Sequence, residues 1–159
     1  MALSDRMLIM DMGNIQQIGT PAELYNHPVN RFVHSFLGQS NFINVAAENG
    51  KVYPKGKGGT ELWVDNKPLK SGEQVLACRP NTMELNREEG FPCRIVKRTF
   101  KTDFVEYLLN IGEDNAIVQA PHRVLFQNGE NCFLKIHNAV YYEKESEEAI
   151  KERERRNIV

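Results

Sequence analysis

The sequence predicts a mainly β protein in which a small closed barrel follows a short hairpin and two short helices and precedes a charged C-terminal helix. Two observations favour the barrel. From Asn41 onward the chain consists of short extended runs separated by Gly, Pro, Asn and Asp, and residues 104–111 alternate with the period of a strand that has one buried face. About seven such strands suit a closed barrel, because closure leaves no exposed sheet edge.

Composition is that of one globular domain, with room for an appendage: 159 residues, 41% of them hydrophobic and 26% charged. The formal net charge of -1 gives no support to a nucleic-acid partner. The sequence has neither an apolar run of about 18 residues nor a signal-peptide pattern, so we expect a chain that neither crosses a membrane nor is exported. Cys78, Cys93 and Cys132 stand in apolar runs without a CxxC pair, which predicts reduced core thiols.

The first element is a predicted hairpin. Residues 7–12 and 15–18 are short extended runs, and Gly13 with Asn14 is a turn signal between them. Met10 and Met12 alternate with a polar residue and have no His or Cys nearby. We therefore expect them to pack in a core instead of binding a soft metal.

Two short helices follow the hairpin. Thr20 can cap the first helix, Pro21 suits its first position and Glu23 can reach back to the cap. Pro28 cannot continue that helix, so a second one is predicted over residues 30–37. The apolar face of the second helix is formed by Phe32, Val33, Phe36 and Leu37.

Residues 2–42 resemble the C-terminal end of the ATP-binding subunit of ABC importers, especially those that serve iron(III), polyamines and sugars. The pattern is A-L-S-D-R, an apolar strand, G-x-I-x-Q-I-G-T-P-x-E-L-Y-x-x-P, then N-x-F-V-x-x-F-L-G-x-x-N-F. The resemblance implies that residues 1–40 are the C-terminal remnant of an ATPase domain whose catalytic parts lie upstream. In agreement, the chain contains no G-x-x-x-x-G-K-[ST] loop and no LSGGQ-type signature.

The β-rich remainder resembles the accessory OB-type barrel of the same importers, the TOBE domain. Matching positions are Ser71, Gly72, Glu73, Val75, Arg79, Pro80, Gly129, Glu130, Leu134 and Ile136. Family members commonly carry an acidic residue at the position of Asn81 and a glycine near Phe100, and this chain departs from both. The resemblance implies a TOBE/OB-like regulatory barrel over residues 41–142 and a charged helical tail over residues 143–159.

What the resemblance implies for function is a regulatory and dimerisation region of an importer ATP-binding subunit, itself without ATPase activity. No residue is assigned a catalytic, cofactor-binding or metal-binding role, and ATP and Mg²⁺ belong to the parent subunit. The implied partners are a second copy of the chain and membrane permease subunits, with no nucleic acid. The implied location is the cytoplasmic face of the membrane. The transported solute, whether iron, polyamine, sugar or phosphonate, is recognised by an external binding protein and the permease, so this chain leaves it open.

Arg79, Trp63 and the four histidines are the single residues that could form a site. Arg79, beside a proline at a strand end, can clamp a carboxylate or the carbonyls of a neighbouring loop, or else bind a ligand. Trp63 fits an amphipathic strand better than a base-stacking platform. The four histidines have no metal-ligand spacing and are expected at surface or helix-end positions. They are His27, His34, His122 and His137.

Two stretches support an alternative function, a free-standing OB-type module for small oxyanions or single-stranded nucleic acid. Residues 55–60 (KGKGGT) read as a hairpin tip, or alternatively as an anion nest. Residues 97–104 interleave basic and aromatic side chains as a single-strand binder would, although Asp103 and Glu106 weaken the field. A small hydrolase is disfavoured because no nucleophile and base can be paired.

Overall fold

The computed structural model describes residues 5–56, 59–144, 148, 151–152 and 155. This part of the chain is mainly β, as predicted. The strands are β1 Met7–Asp11, β2 Asn14–Gly19, β3 Asn41–Glu48, β4 Lys51–Pro54, β5 Trp63–Val64, β6 Gly72–Cys78, β7 Met83–Asn86, β8 Phe91–Phe100, β9 Val105–Ile111, β10 Asp114–Ala120, β11 Asn131–Ile136 and β12 Val140–Glu143. The helices are α1 Pro21–Asn26 and α2 Arg31–Leu37, and a short 3-10 turn, η1, covers Pro80–Thr82.

Strands β1 and β2 form the predicted antiparallel hairpin. The turn consists of Met12 and Gly13, both at positive φ (52° and 80°), one residue earlier than Gly13 with Asn14. A two-residue turn of this kind matches the twist of the strands it joins. The expectation of core methionines is wrong: Ile9 is 2% exposed, but Met10 is 51% and Met12 69% exposed. Successive strand residues face opposite sides, so burying Ile9 turns Met10 outward.

The helices begin as the sequence predicts. Thr20 Oγ1 accepts a hydrogen bond from the Glu23 amide at 3.2 Å, and the Glu23 carboxylate accepts from the Thr20 amide at 3.3 Å, which completes a capping box. Asn30 Oδ1 accepts from the Val33 amide at 3.0 Å and starts α2. The helices and the hairpin share a small core made of Ile9, Leu24 and Val33.

The barrel region consists of two sheets. One has the strand order β10-β9-β8-β11-β5, with β7 also on β11, and it curls into a half-barrel consistent with a small OB-like fold. The other has the order β12-β6-β3-β4. One continuous core lies between them, and its largest fully buried side chains are Tyr107, Phe91, Phe126, Ile43, Leu62, Leu76, Ile95, Leu109, Ile111 and Leu134.

All three cysteines are buried free thiols, as the apolar runs predict. Cys93 on β8 lies opposite Cys132 on β11, with the two Sγ atoms 3.5 Å apart. Burial raises the pKa of Cys78 to about 12, so this thiol stays protonated and unreactive at neutral pH.

Within the predicted tail, residues 148, 151, 152 and 155 are helical. The rest of the predicted tail helix beyond Lys144 lies outside the described residues, as do residues 57 and 58 of the predicted hairpin tip.

Candidate functional site

Arg79 joins the helical segment, which we define as residues 21–37, to the barrel region. It follows β6 directly, and its side chain is only 5% exposed. Its Nη1 lies 2.6 Å from the His34 carbonyl oxygen, 3.0 Å from that of Gly38 and 3.3 Å from that of Gln39, and it also reaches Ser40 Oγ at 3.0 Å. The last carbonyls of a helix have no partner within the helix, and a cation there is favourable. A single guanidinium nitrogen therefore satisfies the end of α2 and fixes it to the barrel.

Tyr25 and Gly38 also pack against the guanidinium of Arg79. Its guanidinium carbon lies 4.6 Å from the centre of the Tyr25 ring. A Cβ atom added to Gly38 would lie 3.4 Å from Arg79 Nη1, which is ordinary van der Waals contact, so Gly38 packs directly against the guanidinium. Of the sequence-based alternatives for Arg79, the clamp on neighbouring carbonyls is confirmed.

His34 is a site residue that sequence reasoning missed. It lies in the last turn of α2, as expected for a helix-end position, but it is only 2% exposed. Its Nδ1 pairs with Ser40 Oγ. Burial, and next the positive charge of Arg79, lower the pKa of His34 to about 4, so the imidazole is neutral at neutral pH.

A second polar cluster surrounds His137 on the surface. Its Nδ1 lies 2.8 Å from Asp65 Oδ2 and its Nε2 lies 3.3 Å from Glu84 Oε1. The hydrogen bond to Asp65 is the main cause that raises the pKa of His137. Nearby, Trp63 is 42% exposed and lies under Lys135, whose Nζ is 4.4 Å from the ring centre. Trp63 thus behaves as the predicted amphipathic strand residue.

In the basic and aromatic stretch at the end of β8, Arg98 makes its contacts within the protein. Arg98 Nη1 donates to the Phe126 carbonyl at 3.0 Å, and the Arg98 amide donates to Asn128 Oδ1 at 2.9 Å. The guanidinium also lies 4.7 Å from the centre of the Phe100 ring. These contacts tie Arg98 to the barrel and give it a structural role.

The hairpin exposes an apolar face, which we call the hairpin face and define as Leu8, Met10, Ile15 and Ile18. Leu8 lies opposite Ile18 and Met10 opposite Ile15 across the two strands. Each is between 48% and 57% exposed. Phe36, predicted on the apolar face of α2, is 62% exposed as well. The hairpin therefore presents four apolar side chains that the described residues leave about half exposed.

Among the described residues, no group of three or more His, Cys, Asp or Glu side chains could hold a metal ion. In the same part of the chain, no helix has the length and hydropathy needed to span a membrane.

Comparison with known proteins finds ATP-binding proteins of transporters among the relatives of this chain. The sulfate/thiosulfate import ATP-binding protein CysA 1 of Rhizobium meliloti is 43% identical over 83 residues, which is 52% of this chain and 23% of the relative. An uncharacterized ABC transporter ATP-binding protein of Sinorhizobium fredii is 31% identical over 84% of this chain and 37% of its own length. The spermidine/putrescine import ATP-binding protein PotA of Fusobacterium nucleatum is 28% identical over 94% of this chain and 40% of its own length.

These alignments confirm the resemblance noted in the sequence, since CysA 1 and PotA are import ATP-binding proteins, and PotA and the ABC transporter ATP-binding protein of Sinorhizobium fredii align over most of the chain. No protein-family model matches the chain. The chain spans between 22% and 40% of the length of the curated relatives it matches.

Proposed function

Because its relatives are ATP-binding subunits of ABC importers, we propose that this chain is the regulatory and dimerisation C-terminal region of such a subunit. Residues 1–40 are the end of an ATPase domain, residues 41–142 are a TOBE-type barrel, and residues 143–159 are a charged tail. The observation that carries the proposal is the alignment with these subunits over 84% and 94% of the chain. The exposed hairpin face supports it, because an apolar strand pair is expected where a larger domain continues.

We propose that the chain itself has no ATPase activity. Holding ATP phosphates takes consecutive backbone N–H groups in a glycine-rich turn at a helix N-terminus, with a lysine and a hydroxyl that binds Mg²⁺. The sequence has no such motif. The purified chain should neither bind nor hydrolyse Mg-ATP. Turnover above a blank, removed by a chelator of Mg²⁺, would contradict this part of the proposal.

The proposed partners are a second copy of the chain, through the barrel, and the permease subunits of the importer. They place the chain peripherally at the cytoplasmic face of the membrane. Analytical sedimentation over a range of micromolar concentrations should show a monomer and dimer in equilibrium. A monomer at every concentration would count against pairing through the barrel.

A chimera tests the whole proposal. The Fusobacterium nucleatum relative would have the part that aligns with this chain replaced by this chain. We expect a soluble chimera that hydrolyses Mg-ATP. Ile15→Lys on the hairpin face should prevent its correct assembly, whereas Val96→Lys, a matched change at a 45% exposed barrel position, should not. Equal behaviour of the two variants would refute the role given to residues 1–40.

A further inference from the structure

The chain contains two Asn-Gly pairs, Asn49–Gly50 and Asn128–Gly129. In such a pair the backbone nitrogen of the glycine can attack the side-chain amide carbon of the asparagine, because glycine has no Cβ to obstruct the approach. The attack closes a five-membered imide ring. In a folded protein its rate depends on how firmly the side-chain amide and the attacking nitrogen are held.

Asn49 and Gly50 form the two-residue turn between β3 and β4. Both residues have positive φ, 53° and 76°, and both are exposed. The side chain of Asn49 makes no hydrogen bond with the described residues. A Cβ atom added to Gly50 would meet no atom within 4 Å. Solvent therefore surrounds both reacting groups, and no side-chain contact restrains them.

Only a small part of the sheet has to open for the attack. Strand β4 is the edge strand of the sheet ordered β12-β6-β3-β4. The first residue pair behind the turn is Glu48 with Lys51. Bringing the Gly50 nitrogen onto the Asn49 side chain changes the backbone angles of the turn and loosens this last pair. Local opening at the end of a hairpin costs far less free energy than global unfolding.

Asn128 and Gly129 are also a solvent-facing pair, since Asn128 is exposed, but hydrogen bonds hold both reacting groups. The side-chain oxygen of Asn128 accepts from the Arg98 amide at 2.9 Å. The Gly129 amide donates to the Ile95 carbonyl at 2.7 Å. The Gly129 carbonyl accepts from Arg94 Nε at 3.0 Å. Attack at this pair therefore requires these bonds to β8 to break first.

We propose that Asn49 is a site of spontaneous isoaspartate formation in the folded protein, and that Asn128 is protected. The Gly50 nitrogen gives its proton to water and forms a bond to the side-chain carbon of Asn49, and the bond from that carbon to the amide nitrogen breaks. Ammonia leaves and a succinimide remains. Water then opens the ring at either carbonyl, which yields isoaspartate or aspartate. Water is the only co-reactant, and no electrons are transferred.

The modification should act on β4. Isoaspartate adds one carbon to the main chain and one carboxylate to the turn. A two-residue hairpin turn depends on a fixed backbone geometry, so the longer main chain no longer matches the pairing of Glu48 with Lys51. We expect the end of β4 to open more often. This inference is independent of the proposed function.

The test incubates the full chain at mildly alkaline pH, folded in buffer and unfolded in urea, and follows both pairs by peptide mass spectrometry. In the folded protein Asn49 should convert at least about tenfold faster than Asn128, because only Asn128 needs the deeper opening. In urea the two should convert at similar rates. Equal rates in the folded protein, faster conversion of Asn128, or no conversion of Asn49 while the unfolded chain converts would each overturn the proposal.

Two variants separate the product from its charge. Asn49→Gly keeps a residue that tolerates positive φ and removes the amide, so the conversion at this turn should disappear. Asn49→Asp adds the charge without lengthening the main chain. Isoaspartate in the aged wild type would be identified by labelling with an isoaspartyl methyltransferase and S-adenosylmethionine. Amide exchange of residues 51–54 should be faster in the aged wild type than in Asn49→Asp, and equal exchange would refute the effect on β4.

Discussion

The side chain of Asn41 pairs with the backbone of Ile117 as a neighbouring strand would. Its Oδ1 accepts from the Ile117 amide and its Nδ2 donates to the Ile117 carbonyl, both at 2.8 Å. Asn41 is the first residue of β3 and is 5% exposed, whereas Ile117 lies in the middle of β10. One amide side chain therefore links the two sheets of the barrel.

The first prediction follows from that pair. Asn41→Asp replaces the donor with an oxygen that faces the Ile117 carbonyl, and Asn41→Ala leaves two backbone groups unpaired in the interior. Each change should lower the free energy of unfolding by about 1–3 kcal/mol or more. Urea unfolding followed by circular dichroism measures it. Asn110→Asp, at an exposed position, should stay within about 0.5 kcal/mol of wild type.

Tyr107 gives the second prediction. Its buried hydroxyl donates to the Val124 carbonyl and accepts from the Phe126 amide, each at 3.0 Å, and so anchors the loop between β10 and β11. Tyr107→Phe should cost about 1–3 kcal/mol of unfolding free energy, because both backbone groups lose their partner. Tyr53→Phe, with a half-buried ring, is the matched control. Equal losses in the two variants would mean that the hydroxyl bonds are not the cause.

The third prediction separates the two sides of the hairpin. Ile9→Ala opens a cavity in the small core with Leu24 and Val33 and should destabilise that segment by about 2–5 kcal/mol. Ile15→Lys acts on the exposed hairpin face and should leave stability nearly unchanged while raising solubility. Amide hydrogen exchange of residues 7–37 reports the first effect. Loss of protection in Ile15→Lys would show that its side chain is buried in solution.

The fourth prediction concerns pH. The folded-state pKa of His34 is lowered from 6.5 to about 4, so the unfolded chain binds the proton more readily and stability falls as pH drops from 6.5 toward 4. The folded-state pKa of His137 is raised above 6.5. Its contribution is fully present below pH 6.5 and is lost as pH rises through the folded value. Being partly exposed, His137 should contribute the smaller effect.

Unfolding free energy should therefore be highest near pH 6.5 as far as these two groups decide it. His137→Gln should flatten the decline above that pH and keep the decline below it. The His34 ring resonances should titrate in the folded protein near pH 4. A His34 titration at its ordinary value would contradict the burial-based explanation.

The elements that were predicted well are those whose sequence signals lie in neighbouring residues. The capping box of Thr20 and Glu23 and the stop at Pro28 are set by adjacent residues, and the structure reproduces them. Met10 was misplaced because alternation shows which residues share a face but not which face is covered. The contact between Arg79 and His34 joins residues 45 positions apart in the chain, and no sequence spacing predicts it.

Strand β11 is bonded to β8, β7 and β5, and β12 completes the sheet that contains β6 and β3. Both of these connecting strands come late in the chain, after residue 130. Until these strands have been synthesised, the earlier strands cannot complete their sheets. Their apolar surface and unpaired edges are then exposed to other nascent chains. Premature termination shortly before Asn131 should thus yield a product that aggregates or is degraded. Helices α1 and α2, which depend on local caps, should form in that product all the same.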